Sequence, residues 1–199
     1  MRLLKPILRH WRRAPLRVFC EDDHRQWRGA TMWVAARHLA KWVASTTDAQ
    51  HVGIFLPTSG AFPVAMAASW LCGRTIVPLN YLLARDELDY IIEHAEIDTV
   101  ITVTPMLDRF GDMPAGVKPL CIDKMDARGL PPMMRAVKRS DEETSVILYT
   151  SGTSGRPKGV MLSGSNLMTN VKQCVEWADF RRGDGFLGVL PQFHSFGLC

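Results

Sequence analysis

Residues 149–159 read Tyr-Thr-Ser-Gly-Thr-Ser-Gly-Arg-Pro-Lys-Gly, with four serine or threonine hydroxyls, three glycines and one lysine. An apolar run at 145–149 leads into this stretch and predicts a buried strand. The apolar residues at 159–162 predict a second strand immediately after it. The sequence therefore predicts a loop of small residues held between two strands.

The composition of this loop is typical of a phosphate-binding loop. Glycine allows backbone conformations that turn several N–H groups toward one ligand. Serine and threonine hydroxyls add donors for phosphate oxygens, and Lys158 adds a compact positive charge. We therefore predict a triphosphate-binding site formed by Thr150, Ser151, Gly152, Thr153, Ser154, Gly155 and Lys158.

Two other interpretations of the loop fit the residues less well. A Walker A loop places its lysine before a serine or threonine and then begins a helix. Here Pro157 precedes Lys158 and a strand is predicted to follow. A flexible glycine–serine linker would not be bracketed by two buried strands.

Predicted strands and helices alternate along the rest of the chain. Apolar runs predict strands at 18–20, 51–56, 75–79 and 99–103, and helical periodicity predicts helices at 62–71, 85–95 and 166–178. Strands separated by helices indicate an α/β fold with a largely parallel sheet flanked by helices.

Two further expectations concern the segments between these elements. Thr31 is expected to cap a helix whose buried face carries Val34, Ala35, His38, Leu39 and Trp42. Residues 104–143 contain five prolines, so we expect loops there around one short strand at 120–122.

The overall composition is ordinary for a globular protein. The 199 residues are 47% hydrophobic and 22% charged, with a net charge of +4 that is too small to indicate nucleic-acid binding. The five cysteines are scattered, which argues against a disulfide framework and favours a reducing, cytoplasmic compartment.

Residues 1–17 form a separate basic and amphipathic segment. Six cations precede the first acid, Glu21, and apolar residues lie between them at helical spacing. One interpretation is peripheral contact with an anionic membrane. The other is a solvated first helix that packs on the domain.

Residues 150–159 resemble the phosphate-binding signature of the adenylate-forming superfamily, which includes acyl-CoA synthetases, luciferases and peptide-synthetase adenylation domains. Ser154 stands where that family usually has threonine, and Gly164 where it often has histidine. A second resemblance lies in 190–198, Leu-Pro-Gln-Phe-His-Ser-Phe-Gly-Leu, and is closest to fatty-acyl-CoA and acyl-carrier-protein synthetases. It implies an acyl-substrate pocket lined by His194, Ser195, Phe196 and Gly197.

The resemblance implies ATP-dependent activation of a carboxylic acid, expected to be fatty, to an acyl-adenylate and then a thioester. The implied cofactors are ATP and Mg²⁺, the latter held through Thr150 and the phosphates, with coenzyme A or an acyl carrier protein as acceptor. Residues 18–199 are expected to be an incomplete amino-terminal part of the AMP-binding domain, inactive alone, because later motifs of the family are absent.

Two alternatives stay open at this point, a nucleotide-binding fragment without chemistry and one part of a split protein. A serine hydrolase is disfavoured, because His194 and Ser195 are sequence neighbours and no Gly-x-Ser-x-Gly elbow is present.

Overall fold

The computed structural model describes residues 3–150, 156–181 and 183–198. The helices are α1 (Leu4–Arg13), α2 (Gly29–Thr46), α3 (Ala61–Leu71), α4 (Arg85–His94), α5 (Thr104–Phe110), α6 (Gly164–Trp177) and α7 (Ser195–Leu198). The strands are β1 (Val18–Glu21), β2 (Gln26–Arg28), β3 (His51–Ile54), β4 (Thr75–Pro78), β5 (Thr99–Thr102), β6 (Lys118–Cys121), β7 (Thr144–Thr150) and β8 (Lys158–Ser163).

A six-stranded sheet in the order β6-β5-β3-β4-β7-β8 organises the fold. Strands β3 to β7 pair in parallel, and β8 at one edge runs antiparallel to β7. Strands β1 and β2 form a separate two-stranded hairpin. The prediction of an α/β fold with a largely parallel sheet is therefore confirmed.

The two faces of the sheet bury two separate hydrophobic cores. Ile76 and Val146 belong to the core with α1, α2 and α3, whereas their neighbours Val77 and Ile147 belong to the core with α4 and α5. Successive side chains of a strand point to opposite faces, so continuous apolar runs are what a strand covered on both sides requires.

Helix α3 is buried on almost every side. Val64, Ala65, Ala67 and Ala68 are at most 2% exposed, and Trp70 Nε1 donates to the carbonyl oxygen of Ser145 at 3.0 Å. The prediction of a helix at 62–71 is confirmed. Among the residues that the structure describes, no helix combines the length and apolar character needed to cross a membrane.

Helix α1 packs its apolar side on the domain. Leu4 and Trp11 are buried in the first core, and Ile7 and Leu8 pack against it. The backbone approaches closely at Gly29, where a Cβ atom would lie 2.5 Å from the carbonyl oxygen of Trp11. The structure therefore shows this helix packed on the domain, as the second interpretation of the segment expects.

The expected start of α2 at Thr31 is wrong. The helix begins at Gly29, and the amides of Gly29 and Ala30 donate to the carbonyl oxygens of Arg17 and Pro15 at 3.0 and 2.9 Å. These carbonyl oxygens accept hydrogen bonds from amides at the start of the helix, which a capping side chain would otherwise accept.

The expected buried face of α2 is also displaced. Val34, Ala35, His38 and Trp42 are only half-buried, and Leu39 is the one residue of that face in the core. The small residues Ala36 and Ala40 face inward instead, because they let α2 and α3 approach closely. The residues of the observed buried face are Met32, Ala36, Leu39, Ala40 and Val43.

Residues 104–143 contain more regular structure than the prolines suggested. Helix α5 was missed there, although Pro105 lies in its first turn, where the missing N–H costs nothing. The amide of Thr104 donates to Asp123 Oδ1 at 3.0 Å, and Gly111 ends the helix with φ +88°. Strand β6 begins at Lys118, two residues before the predicted strand, and tolerates Pro119 because it is an edge strand.

Candidate active site

The predicted strand–loop–strand unit is a β-hairpin at the edge of the sheet. Strands β7 and β8 pair antiparallel, and Thr150 opposite Lys158 is the last pair before the loop. Both side chains are exposed at the loop's base. Of the predicted phosphate-binding residues, Ser151, Gly152, Thr153, Ser154 and Gly155 lie outside the described residues.

Gly159 permits the close packing of this hairpin. A Cβ atom there would lie 2.9 Å from Ile147 Cγ2 and 3.2 Å from Tyr149 Cζ. The ring of Tyr149 therefore covers the backbone next to Lys158. Burial, together with nearby Tyr90, raises the pKa of Tyr149, so its hydroxyl stays protonated well above neutral pH.

A cavity of about 100 Å³ opens beside the hairpin and joins the two predicted sites. Thr150 lines it from the end of β7, and His194 and Ser195 line it from the segment before and within α7. The remaining lining residues are Pro78, Asn80, Leu83, Ile91, Leu148, Tyr149 and Phe193.

The other two residues predicted for the acyl pocket do not line this cavity. Phe196 is 76% exposed, and its ring stacks on that of His194 with centroids 6.0 Å apart. Gly197 lies against the preceding turn, where a Cβ atom would come 2.2 Å from the carbonyl oxygen of Pro191.

Residues 190–198 are docked on the ends of β3 and β4. The amide of Ser59 donates to Gln192 Oε1 at 3.0 Å, which ties the segment to the turn after β3. The ring of Phe193 contacts Tyr81 edge-on, with centroids 4.8 Å apart. These contacts hold His194 at the cavity.

The sequence did not predict Asn80 and Tyr149, which line the cavity, or Tyr81, which contacts Phe193. Strand β3 is the first strand of the sheet along the chain; β4 pairs with one side of it and β5 with the other, so the direction of strand addition reverses after β4. In open α/β sheets, ligands bind beyond the carboxyl ends of strands at such a reversal. Asn80 lies two residues beyond the carboxyl end of β4, so this rule could have identified it.

A wider groove of about 320 Å³ shares no lining residue with this cavity. Lys41 and Trp42 of α2 and Lys124 line it. We place the candidate active site at the smaller cavity, because only that one includes a residue of the glycine-rich loop.

The donor groups at the hairpin suit a phosphate chain with its metal. Thr150 offers a hydroxyl and Lys158 an ammonium group, and both groups bind phosphate oxygens well. Within the described ranges, no three His, Cys, Asp or Glu side chains converge to hold a metal ion.

Comparison with known proteins gives a family match over nearly the whole chain. Residues 7–199 match the family model described as AMP-binding enzyme. A 2-succinylbenzoate–CoA ligase from Bacillus licheniformis is 33% identical over 136 residues, which are 68% of this chain and 28% of that protein. A chloroplastic long-chain-fatty-acid–[acyl-carrier-protein] ligase from Arabidopsis thaliana is 44% identical over 55 residues, which are 28% of this chain and 8% of that protein.

Solved structures share the fold. O-succinylbenzoate coenzyme A synthetase from Bacillus subtilis, solved in complex with ATP and magnesium, superposes with a TM-score of 0.79 at 21% identity. The match covers 96% of this chain and 52% of that enzyme. The chain thus spans about half the length of this solved protein and a smaller share of the two sequence relatives.

Proposed function

Because this chain belongs to the AMP-binding enzyme family, we propose that it supplies the nucleotide-binding part of an enzyme that activates a carboxylic acid with ATP. A carboxylate oxygen attacks the α-phosphorus, the bond to the bridging oxygen breaks, and pyrophosphate leaves with that oxygen. A thiol of coenzyme A or an acyl carrier protein then loses its proton and attacks the acyl carbon of the adenylate. AMP leaves and a thioester forms.

The observation that carries this proposal is the shared cavity of Thr150, His194 and Ser195 beside the hairpin. The barrier to attack on a phosphorus falls mainly through positioning and neutralisation of charge. Thr150 and Lys158 would bind the β- and γ-phosphates at the base of the loop, with residues 151–155 completing it. Mg²⁺ would neutralise further charge on the phosphates. His194 would orient the acid.

Replacing Lys158 tests the phosphate-binding role. In the full-length protein, Lys158→Ala should slow ATP–pyrophosphate exchange, because losing a charged hydrogen bond costs about 1.5–3 kcal/mol. Lys172→Ala, which removes an exposed lysine from α6, is the matched control and should leave exchange unchanged. Equal exchange rates in the Lys158 variant and the unmodified protein would refute the assignment.

We propose a hydrophobic, fatty acid as the substrate. The apolar side chains of Leu83, Ile91, Leu148 and Phe193 line the cavity, which supports this choice. The similarity to the fatty-acid ligase from Arabidopsis adds support, over its short aligned range. The similarity to the 2-succinylbenzoate ligase favours an aromatic acid instead, which is the second candidate.

A panel of acids separates these candidates. Each methylene buried against an apolar wall contributes about 0.8 kcal/mol, so kcat/KM of the full-length protein should rise with fatty-acid length until the pocket is full. A preference for an aryl acid or an amino acid, with no gain from added methylenes, would contradict the fatty-acid proposal. Absence of adenylate formation with every acid would favour a nucleotide-binding module without chemistry.

The location of the protein follows as a further part of the proposal. The four described cysteines are all free, which supports a reducing, cytoplasmic compartment. We also propose that residues 1–17 differ in function from residues 18–199 and make electrostatic contact with an anionic membrane. The exposed cations of α1 support this role, and the buried apolar side of the helix excludes insertion without undocking.

A further inference from the structure

The last turn of α4 contacts the hairpin on both sides of the phosphate loop. Tyr90 and His94 are four residues apart on this helix and therefore lie on one face, with ring centroids 5.3 Å apart. His94 contacts Tyr149 just before the loop, and Tyr90 contacts Arg156 near the carboxyl end of the loop.

At the entrance to the loop, His94 and Tyr149 share a hydrogen bond. His94 Nδ1 lies 2.7 Å from the Tyr149 hydroxyl oxygen, and the two rings meet edge-on with centroids 5.8 Å apart. Tyr149 precedes Thr150 directly and its ring covers Gly159 on β8. This one side chain therefore connects α4 to both strands of the hairpin.

At the exit from the loop, Arg156 lies over the ring of Tyr90. The guanidinium carbon is 5.4 Å from the ring centroid, within the range of a cation–π interaction. Pro157, the next residue, is buried, and Lys158 then enters the ladder. The chain leaving the loop is thus held by α4 shortly before it reaches the lysine.

We propose that Tyr90 and His94 form a clamp that fixes both ends of the phosphate loop, with Tyr149 as its partner on β7. The clamp consists of the His94–Tyr149 hydrogen bond and the Tyr90–Arg156 contact. Its members are positioning residues, because they act on a ligand through the loop. The proposal rests on the phosphate-binding role given above, and its consequence is tighter phosphate binding, because contacts that form before the ligand arrives lower the cost of binding.

Amide hydrogen exchange on this chain measures the clamp directly. Tyr149→Phe keeps the ring over Gly159 but removes the hydroxyl, and His94→Ala removes its partner. Loss of one hydrogen bond should speed exchange in peptides covering 150–160 by roughly 2- to 10-fold. Loss of the cation–π contact in Tyr90→Leu should speed it by about 2- to 5-fold.

Three comparisons control for a general loss of stability. Exchange in peptides from α3 should stay unchanged in every variant. His94→Asn places an amide near the position of Nδ1 and should restore the exchange rate of the unmodified chain. Glu93→Gln changes the exposed neighbour on the same turn and should match the unmodified chain. Unchanged loop exchange in both Tyr149→Phe and His94→Ala would overturn the clamp.

Titration with inorganic tripolyphosphate separates the clamp from the function it serves. The dissociation constant should rise in Tyr149→Phe and His94→Ala by the same factor as loop exchange. Faster loop exchange with unchanged tripolyphosphate affinity would overturn the positioning role. Faster loop exchange in a chain that binds no tripolyphosphate would support the clamp and overturn the phosphate-binding role of the loop.

Discussion

At the scale of single residues, the absence of one side chain shapes the candidate site. Gly159 pairs with Tyr149 across the hairpin, and Ile147 approaches the same backbone from the next inward-facing position. Because Ile147 is 7% exposed, it has little room to withdraw from an added methyl group. Glycine here serves close packing, and its φ lies outside the left-handed region.

Gly159→Ala should therefore destabilise the chain. Overpacking a filled site costs about 1–3 kcal/mol. The free energy of unfolding in urea measures this cost directly. Gly185→Ala is the matched control, because a Cβ atom there meets nothing within 4 Å, and it should change the free energy of unfolding by less than about 0.5 kcal/mol. Equal stability of both variants would contradict the close approach.

At the scale of elements, helix α1 has an apolar face that packs on the domain and a basic face that is exposed. Leu4 and Trp11 hold the helix on the domain. The opposite face carries cations that follow one another at helical spacing, and no acid occurs in the sequence before Glu21. This basic face consists of Lys5, Arg9, Arg12 and Arg13, all exposed.

The basic face should bind anionic vesicles without insertion. Each cation near an anionic surface contributes about 1 kcal/mol, so changing all four residues to glutamine should abolish co-sedimentation with vesicles containing phosphatidylserine. Added salt should have the same effect on the unmodified chain. The charge-matched control replaces Lys41, Lys124, Arg135 and Lys172 by glutamine. Equal loss of binding in both variants would exclude a specific role for α1.

At the scale of the whole molecule, apolar side chains gather near one edge of the sheet and along the chain that follows it. Met161 on the edge strand β8 is 69% exposed, and Trp177 at the end of α6 is 90% exposed. Helix α6 buries only Gly164 and Leu167. The opposite edge, β6, carries Lys118 and Pro119, which discourage pairing between sheets.

This chain should therefore self-associate through β8 as its concentration rises. An unpaired, apolar edge strand is a template for further pairing. Met161→Lys should shift sedimentation velocity toward the monomer, because the charge opposes edge-to-edge contact. Met133→Lys changes a fully exposed methionine outside the sheet and should leave association unchanged. A monomer at all concentrations would show that β8 is protected in this chain.

The sequence by itself determined the fold class and the position of the loop between β7 and β8. A strand that is buried on both faces needs a continuous run of apolar residues, such as 145–149. Such a run is visible in a short stretch of sequence. The same locality explains the correct prediction of α3 and α4. The loop was recognisable because its small residues, hydroxyls and lysine lie next to one another.

Only the tertiary structure decided what depends on distant parts of the chain. Helix α2 starts at Gly29 because carbonyls of 15–17 accept its first hydrogen bonds, and no local pattern encodes that arrangement. The cavity unites Thr150 with His194 because the strand order brings the ends of β4 and β7 together. The contacts of Tyr90 and His94 with the hairpin likewise join residues that are far apart in the sequence. Hydrophobic periodicity predicts helices and strands but does not predict which of them come into contact.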